Sequence, residues 1–122
     1  MKRPLDSTPY PKDPRSRPIG PSLADGPYVY VQDLSGVVHV LPDGPHTHPK
    51  VLGGGQHARY AGDMTVWNGR VCDLRNLSGT FQCDDPEGLL AVADEIILQG
   101  LLIAPNAVRF FPPDGSRPQI LR

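Results

Sequence analysis

The run PHTHPKVLGGG, residues 45–55, carries a dense group of side chains that could do chemistry. His46 and His48 are two residues apart, and in an extended segment this spacing points both rings to one side, as a chelating pair requires. Cys72 and Cys83 could complete a set of four zinc ligands. No C-x-x-C or H-x-x-x-H element accompanies them, so solvated histidines in an irregular loop are favoured over a metal site, and no cofactor is predicted.

The same run could instead bind an anion, because Gly53, Gly54 and Gly55 would let backbone amides approach a phosphate with Lys50 nearby. A P-loop, however, requires G-x-x-x-x-G-K-[ST] leading into a helix. Here a strand is expected to follow, so a flexible connection or bulge between strands is the favoured interpretation.

Nucleophilic catalysis is a third interpretation, with His48, Asp63 and Ser78 as its candidate residues. These are the types found in a Ser-His-Asp triad, but a triad is defined by mutual geometry, and no G-x-S-x-G elbow surrounds the serine. A turn role for Ser78, beside Gly79, is the alternative. The test is whether the three side chains meet in one pocket.

Composition restricts the function classes. The chain has 122 residues, which suits one domain, and a net charge of −1, which gives no electrostatic reason to expect nucleic acid or an acidic membrane as a partner. Arg59, Tyr60, Trp67 and Arg70 form a weak basic and aromatic group, for which sheet packing is the favoured role. No signal peptide and no apolar run of about 20 residues is evident. The predicted location is the cytoplasm, or outside the cell after export without a cleaved signal.

The first 26 residues contain six of the fifteen prolines. Proline removes a backbone donor and clashes with a helical turn, so residues 1–26 are predicted to form an extended or disordered arm. Residues 27–122 are predicted to form a single domain. A solvated tail is the favoured role for the arm, and a segment that docks on a protein partner is the alternative.

Two β-hairpins are predicted within the domain. Residues 28–32 and 37–41 alternate at the period of a strand on either side of a turn at DLSG. Asn68-Gly69 is a strong signal for a type I′ turn, with residues 64–67 entering it and 70–74 leaving it. Val66 and Val71 are expected to face each other beside this turn.

After the hairpins the periodicity becomes helical. Asp85 is a natural N-cap, Pro86 suits the first helical position, and Gly100 suits the C-terminal end. The apolar positions that share one face are Leu89, Val92, Ala93, Ile96 and Ile97. This stripe must pack on the sheet, and NAVRFF adds a last strand. The predicted fold is α+β: an antiparallel, curled sheet of two hairpins with one amphipathic helix packed on it.

The arrangement of these segments resembles a small domain of Rhs-type polymorphic toxins, which is also similar to a domain of plant calmodulin-binding IQ-motif proteins. The resemblance covers about residues 28–101 and rests on YVYVQDLSGVVHV, HTHPKVLGGG and YAGDMTVWNGRVCDLRNLSGTF. His48 matches the histidine of that pattern, and Asp63 stands where glutamate is usual. Asn76 and Gly79 match its Asn-x-Ser-Gly and join Lys50 and the three glycines as candidate ligand-binding residues.

Four polar groups of that pattern are replaced. Pro49 and Lys50 stand in place of two serines, and Thr80 and Phe81 in place of a histidine and a tyrosine. Loss of such groups from a catalytic constellation lowers rates by orders of magnitude. The resemblance therefore implies a non-enzymatic binding or accessory module with a protein partner. The alternatives are an active toxin-type effector using His48, Asp63 and Ser78, and a zinc-stabilised domain.

Overall fold

The computed structural model describes residues 11–44, 48–54, 56–78, 83 and 85–122. Within these ranges the chain has an α+β fold with a mostly antiparallel, open sheet of eight strands and with two helices. The elements are β1 Arg17–Pro18, β2 Gly26–Gln32, β3 Val38–Pro42, α1 His48–Leu52, β4 Tyr60–Trp67, β5 Arg70–Arg75, α2 Pro86–Leu98, β6 Leu102–Ile103, β7 Val108–Phe110 and β8 Gln119–Ile120.

Both predicted hairpins are confirmed, as β2–β3 and β4–β5. Asn68 and Gly69 have φ values of 55° and 78°, the left-handed conformations that a type I′ turn needs, and Val66 pairs with Val71 as expected. The hairpins join through antiparallel β2 and β4, which gives the order β1-β3-β2-β4-β5-β7-β8, with β6 also beside β5.

The sheet is not wholly antiparallel. Both β6 and β7 run parallel to β5, because α2 carries the chain back along the sheet before these strands begin. A parallel pair needs a crossover of this kind, usually through a helix. The sequence predicted the strand at NAVRFF but gave no register for it, so this part of the topology differs from the expected one.

Helix α2 begins and ends as predicted. The Asp85 side chain accepts a hydrogen bond from the amide of Gly88 at 2.9 Å, and Gly100, just after the C-cap, has a φ of 95°. Leu89, Val92, Ala93 and Ile96 are buried. Ile97 is 48% exposed, so its placement on the buried stripe was wrong: it lies at the edge of the apolar face, where the sheet no longer covers it.

A second helix, α1, lies where an irregular loop was predicted. It has five residues, too few to show an amphipathic period in the sequence. Pro49 falls in its first turn, where the missing proline N–H would have no helical partner. Gly53 follows it with a φ of 77° and ends it.

Residues 11–26 are the described part of the segment predicted as an arm over 1–26, and they contact the rest of the fold. Strand β1 pairs with β3, and Ile19 and Leu23 are buried in the core. Ser16 donates a hydrogen bond to the carbonyl of Val51 at 2.6 Å. The prolines favour an extended conformation, and two apolar side chains are enough to fix an extended segment on the domain.

The two faces of the sheet are covered by different helices. The α2 face consists of apolar side chains beneath α2: Tyr30, Val40, Tyr60, Met64 and Leu74. The α1 face consists of the alternate positions: Val29, Val31, Leu41, Ala61 and Asp63. The candidate site lies on the α1 face.

Candidate functional site

A cleft of about 390 Å³ opens on the α1 face and is lined by Val29, Asp43, His48, Asp63, Leu77 and Ser78. Val29 and Asp63 pair across β2 and β4 and form its floor. Helix α1 supplies His48 on one side, and the segment after β5 supplies Leu77 and Ser78. The three residues proposed from sequence as catalytic, His48, Asp63 and Ser78, therefore line the same cleft.

The imidazole of His48 is held by the backbone of β4. Its Nε2 lies 2.7 Å from the carbonyl oxygen of Gly62, which can only accept, so Nε2 carries the proton and Nδ1 is an acceptor. Burial lowers the pKa of His48 below 6.5, and this outweighs the hydrogen bond to Gly62 and the negative charges of Asp63 and Asp43. The ring is therefore neutral near pH 7.

The carboxylate of Asp63 is paired with Arg75 on the adjacent strand. Nε of Arg75 lies 2.8 Å from Oδ1, and Nη2 lies 2.5 Å from Oδ2, so the pair is bidentate. The hydrogen bond to Asp63 raises the pKa of the Arg75 guanidinium. Asp63 thus enters the cleft as a largely neutralised carboxylate.

This ion pair is one end of a charge ladder, which consists of Asp63, Arg75, Asp73 and Arg109. Nε of Arg75 lies 3.8 Å from Asp73, and Arg109 makes a bidentate pair with Asp73 at 2.9 and 2.7 Å. The guanidinium of Arg109 lies 5.5 Å from the ring centroid of Phe111. The signs alternate along the ladder, so its members sum to zero charge.

Of the candidate anion-binding residues, Lys50, Gly53 and Gly54 are described, and none of the three lines the cleft. A side chain at Gly53 would meet the backbone nitrogen of Lys12 at 2.6 Å, so the residue allows close approach of the N-terminal segment rather than of a phosphate. The carbonyl of Lys50 accepts a hydrogen bond from Asp13, and Gly54 is exposed. Gly55 lies outside the described residues.

Asn76 has a structural role. Its amide nitrogen donates to the carbonyls of Cys83 and Phe111 at 2.9 and 3.0 Å, and its oxygen accepts from the Phe111 amide at 2.7 Å. The side chain is buried, and these bonds tie the end of β5 to the end of β7. Gly79 lies outside the described residues.

The three described zinc candidates, His48, Cys72 and Cys83, do not form one cluster. Cys72 is exposed, with its sulfur 3.5 Å from the carbonyl of Thr65, whereas Cys83 is buried in the core. In the described part of the chain, no group of three or more His, Cys, Asp or Glu side chains could hold a metal ion. His46 lies outside that part.

The basic and aromatic group is also divided. Trp67 is 66% exposed at the tip of the second hairpin, with Arg59 and Arg70 also exposed, but Tyr60 is 1% exposed under α2. Tyr60 donates a hydrogen bond to the carbonyl of Asp85, so its ring serves the core and cannot stack on a base.

Two features of the site were missed in the sequence. Asp43 lines the cleft from the end of β3, and Arg75 neutralises Asp63. The positions of Asp73 and Arg75, two apart in a strand, place opposite charges on one face, and this signal could have indicated the ladder. No comparable signal marks Asp43, because its position just after β3 follows from the pairing of that strand with β2.

Comparisons with family models, with curated proteins and with solved structures find no match to this chain. The cleft and its chemistry are therefore the basis for a functional conclusion. Neither helix in the described ranges is long and apolar enough to cross a bilayer.

Proposed function

We propose that this chain is a small non-enzymatic binding module whose ligand site is the cleft beside His48. The observation that supports it is that the hydrogen-bond partners of Asp63 and His48 differ from those of a catalytic triad. Both carboxylate oxygens of Asp63 accept from Arg75, and the Nε2 proton of His48 is donated to the Gly62 carbonyl. In a triad the carboxylate would accept from the imidazole, and here that acceptor is a backbone carbonyl.

A binding role also suits the makeup of the cleft. Its volume is at the lower end of the range for small-ligand pockets, roughly 300–1,000 Å³. Apolar contact comes from Val29 and Leu77. The polar groups are Asp43 at the rim, His48 on one wall, Asp63 in the floor and Ser78 beside Leu77. The resemblance to polymorphic-toxin domains makes an accessory role beside such a toxin part of the proposal.

A screen of cationic, anionic and neutral fragments by protein-observed NMR tests the proposal. We expect the binding fragments to shift the amides of Val29, Asp63 and Leu77. Leu77→Gln, at a cleft residue that is 39% exposed, should weaken binding, whereas Leu98→Gln, at a residue 76% exposed on α2, should leave it unchanged. Fragment shifts that cluster elsewhere, or that survive Leu77→Gln, would contradict the proposal.

A protein contact through the N-terminal residues is also part of the proposal. The deletion that tests this contact must leave the core intact. Removing residues 1–26 would also remove Ile19 and Leu23 from the core. Removing residues 1–10 keeps both side chains and strand β1. Equal recovery of a partner by the full chain and by this shorter chain would count against the contact.

A toxin-type effector enzyme is the second candidate. It is favoured by the neutral imidazole of His48, whose Nδ1 could accept a proton in a cleft that also contains Ser78 and Asp63. This candidate predicts that cytoplasmic expression slows bacterial growth and that His48→Ala relieves the defect. Normal growth at good expression would contradict it.

A zinc-stabilised domain using His46, His48, Cys72 and Cys83 is the third candidate, and metal analysis decides it. Near-stoichiometric zinc in the purified protein would support it. The Gly62 contact of His48 and the burial of Cys83 count against it.

A further inference from the structure

Negative charge exceeds positive charge around the cleft. Of its two carboxylates, Asp63 is neutralised by Arg75, which in turn belongs to the neutral charge ladder. Asp43 is exposed at the rim and forms no ion pair with any described residue. Among the described residues, its Oδ1 accepts a hydrogen bond from the adjacent backbone amide of Gly44, at 2.8 Å, so the carboxylate retains acceptor capacity.

The wall opposite Leu77 offers an acceptor rather than a donor. Because Nε2 of His48 donates to Gly62, the neutral ring has its lone pair on Nδ1. Asp43 and His48 line the same cleft, and the negative charge of Asp43 acts on the ring. A ligand that meets both must supply N–H or O–H donors, and a positive charge satisfies Asp43 best.

The remaining lining residues are Val29, Leu77 and Ser78, of which the first two are apolar. Val29 is buried in the floor, and Leu77 is partly exposed on a wall. These side chains would pack against methylene groups and not against a second charge. The cleft thus combines an anionic rim, an imidazole acceptor and an aliphatic surface.

We propose that the cleft binds a primary ammonium group carried on an aliphatic stem. The shared chemistry has two sources, the lysine side chain of a peptide and a free alkylamine. This inference rests on the proposed binding function and names its ligand class.

An NMR titration of the full chain near neutral pH tests the inference with probes of one length: n-pentylamine, 1-pentanol and pentanoate. We expect pentylamine to shift the amides of Val29, Asp43 and Leu77 and to bind about fivefold more tightly than pentanol, as one solvent-exposed ion pair allows. Pentanoate should bind most weakly. A capped lysine, Nα-acetyl-lysine amide, distinguishes the sources: tighter binding than pentylamine indicates a peptide, and weaker binding a free amine.

Asp43→Asn isolates the charge without disturbing the core, because Asp43 is exposed. It should remove the roughly fivefold preference for pentylamine over pentanol and leave pentanol binding unchanged. Glu87→Gln, the same charge change at an exposed position of α2, should alter neither.

Two results would overturn the inference. If pentanol or pentanoate binds the cleft as tightly as pentylamine, the ammonium assignment is wrong while the binding module stands. If no probe shifts a cleft residue, the ammonium assignment also fails, and the fragment screen with Leu77→Gln then decides the proposed function separately.

Discussion

The α2 face and the α1 face of the same sheet are stabilised by different interactions. On the α2 face, apolar side chains from both hairpins pack against Leu89, Val92 and Ile96. The α1 face is apolar only beneath α1, and it changes at Asp63 into the charge ladder that runs to β7. The α2 face is therefore stabilised by apolar burial, whereas the part of the α1 face from Asp63 to β7 is stabilised by paired charges.

The difference indicates where stability and function lie. Burial of apolar area is the main source of folding free energy, whereas ion pairs that remain partly open to water, like those of the ladder, contribute about 1 kcal/mol or less each. The α2 face should thus dominate stability, and the α1 face can present polar groups to a ligand at little cost to the fold.

Two adjacent isoleucines of α2 test this comparison most strongly. Ile96→Ala should lower the free energy of unfolding by about 2–5 kcal/mol, because it removes a fully buried side chain and leaves a cavity. Ile97→Ala, at a residue 48% exposed, should cost less than about 1 kcal/mol. Urea denaturation measures both, and equal losses would mean that α2 does not pack as described.

Gly62 connects the two faces, because its carbonyl holds His48 and its missing side chain makes room for Tyr30. In Gly62→Ala the new methyl group would overlap the backbone oxygen of Arg75, which is also the acceptor for the Tyr30 hydroxyl at 2.8 Å. We expect a loss of about 1–3 kcal/mol, since overpacking forces a backbone shift.

Gly20→Ala is the matched control for this change. Its added methyl group would meet nothing within 4 Å, and its φ is not positive. Stability should stay unchanged or rise by up to about 1 kcal/mol, because alanine restricts the unfolded chain. Thermal unfolding compares the two variants, and a similar loss in both would contradict the close approach at Gly62.

The sequence predicted the α2 face better than the α1 face, for physical reasons. Asn68-Gly69, the alternation in β2 and the cap at Asp85 are local signals, and each determines an element by itself. Helix α1 has no such signal, because five residues do not complete two turns. The burial of Ile19 and Leu23 was missed because a proline-rich composition argues for an extended segment without saying whether it packs.

The sequence named three residues of the cleft but did not predict the partners of their side chains. His48, Asp63 and Ser78 were chosen for their residue types, and they line one cleft because β4, α1 and the end of β5 meet there. That Asp63 pairs with Arg75 and His48 with a backbone carbonyl depends on strand register. Register follows from long-range pairing, which no single segment of the chain determines.

The smallest effect is expected at the turn between β2 and β3, which ends the α1 face. Burial opposes ionisation of Asp33, but hydrogen bonds from Ser35, His39 and the Val37 amide outweigh it and lower the pKa to about 2, from 3.8. Because the pKa is lowered in the folded state, ionised Asp33 stabilises the fold above the unfolded-state pKa, and this contribution is lost as the pH falls from about 4 toward 2.

Asp33→Asn should therefore cost about 1 kcal/mol at neutral pH, after allowance for solvent screening, and should flatten the acid limb of stability against pH. Urea midpoints measured across this range check it. Parallel acid limbs for the wild-type protein and Asp33→Asn would show that this turn contributes nothing through its carboxylate, and that polar pairing matters on the α1 face only at the ladder.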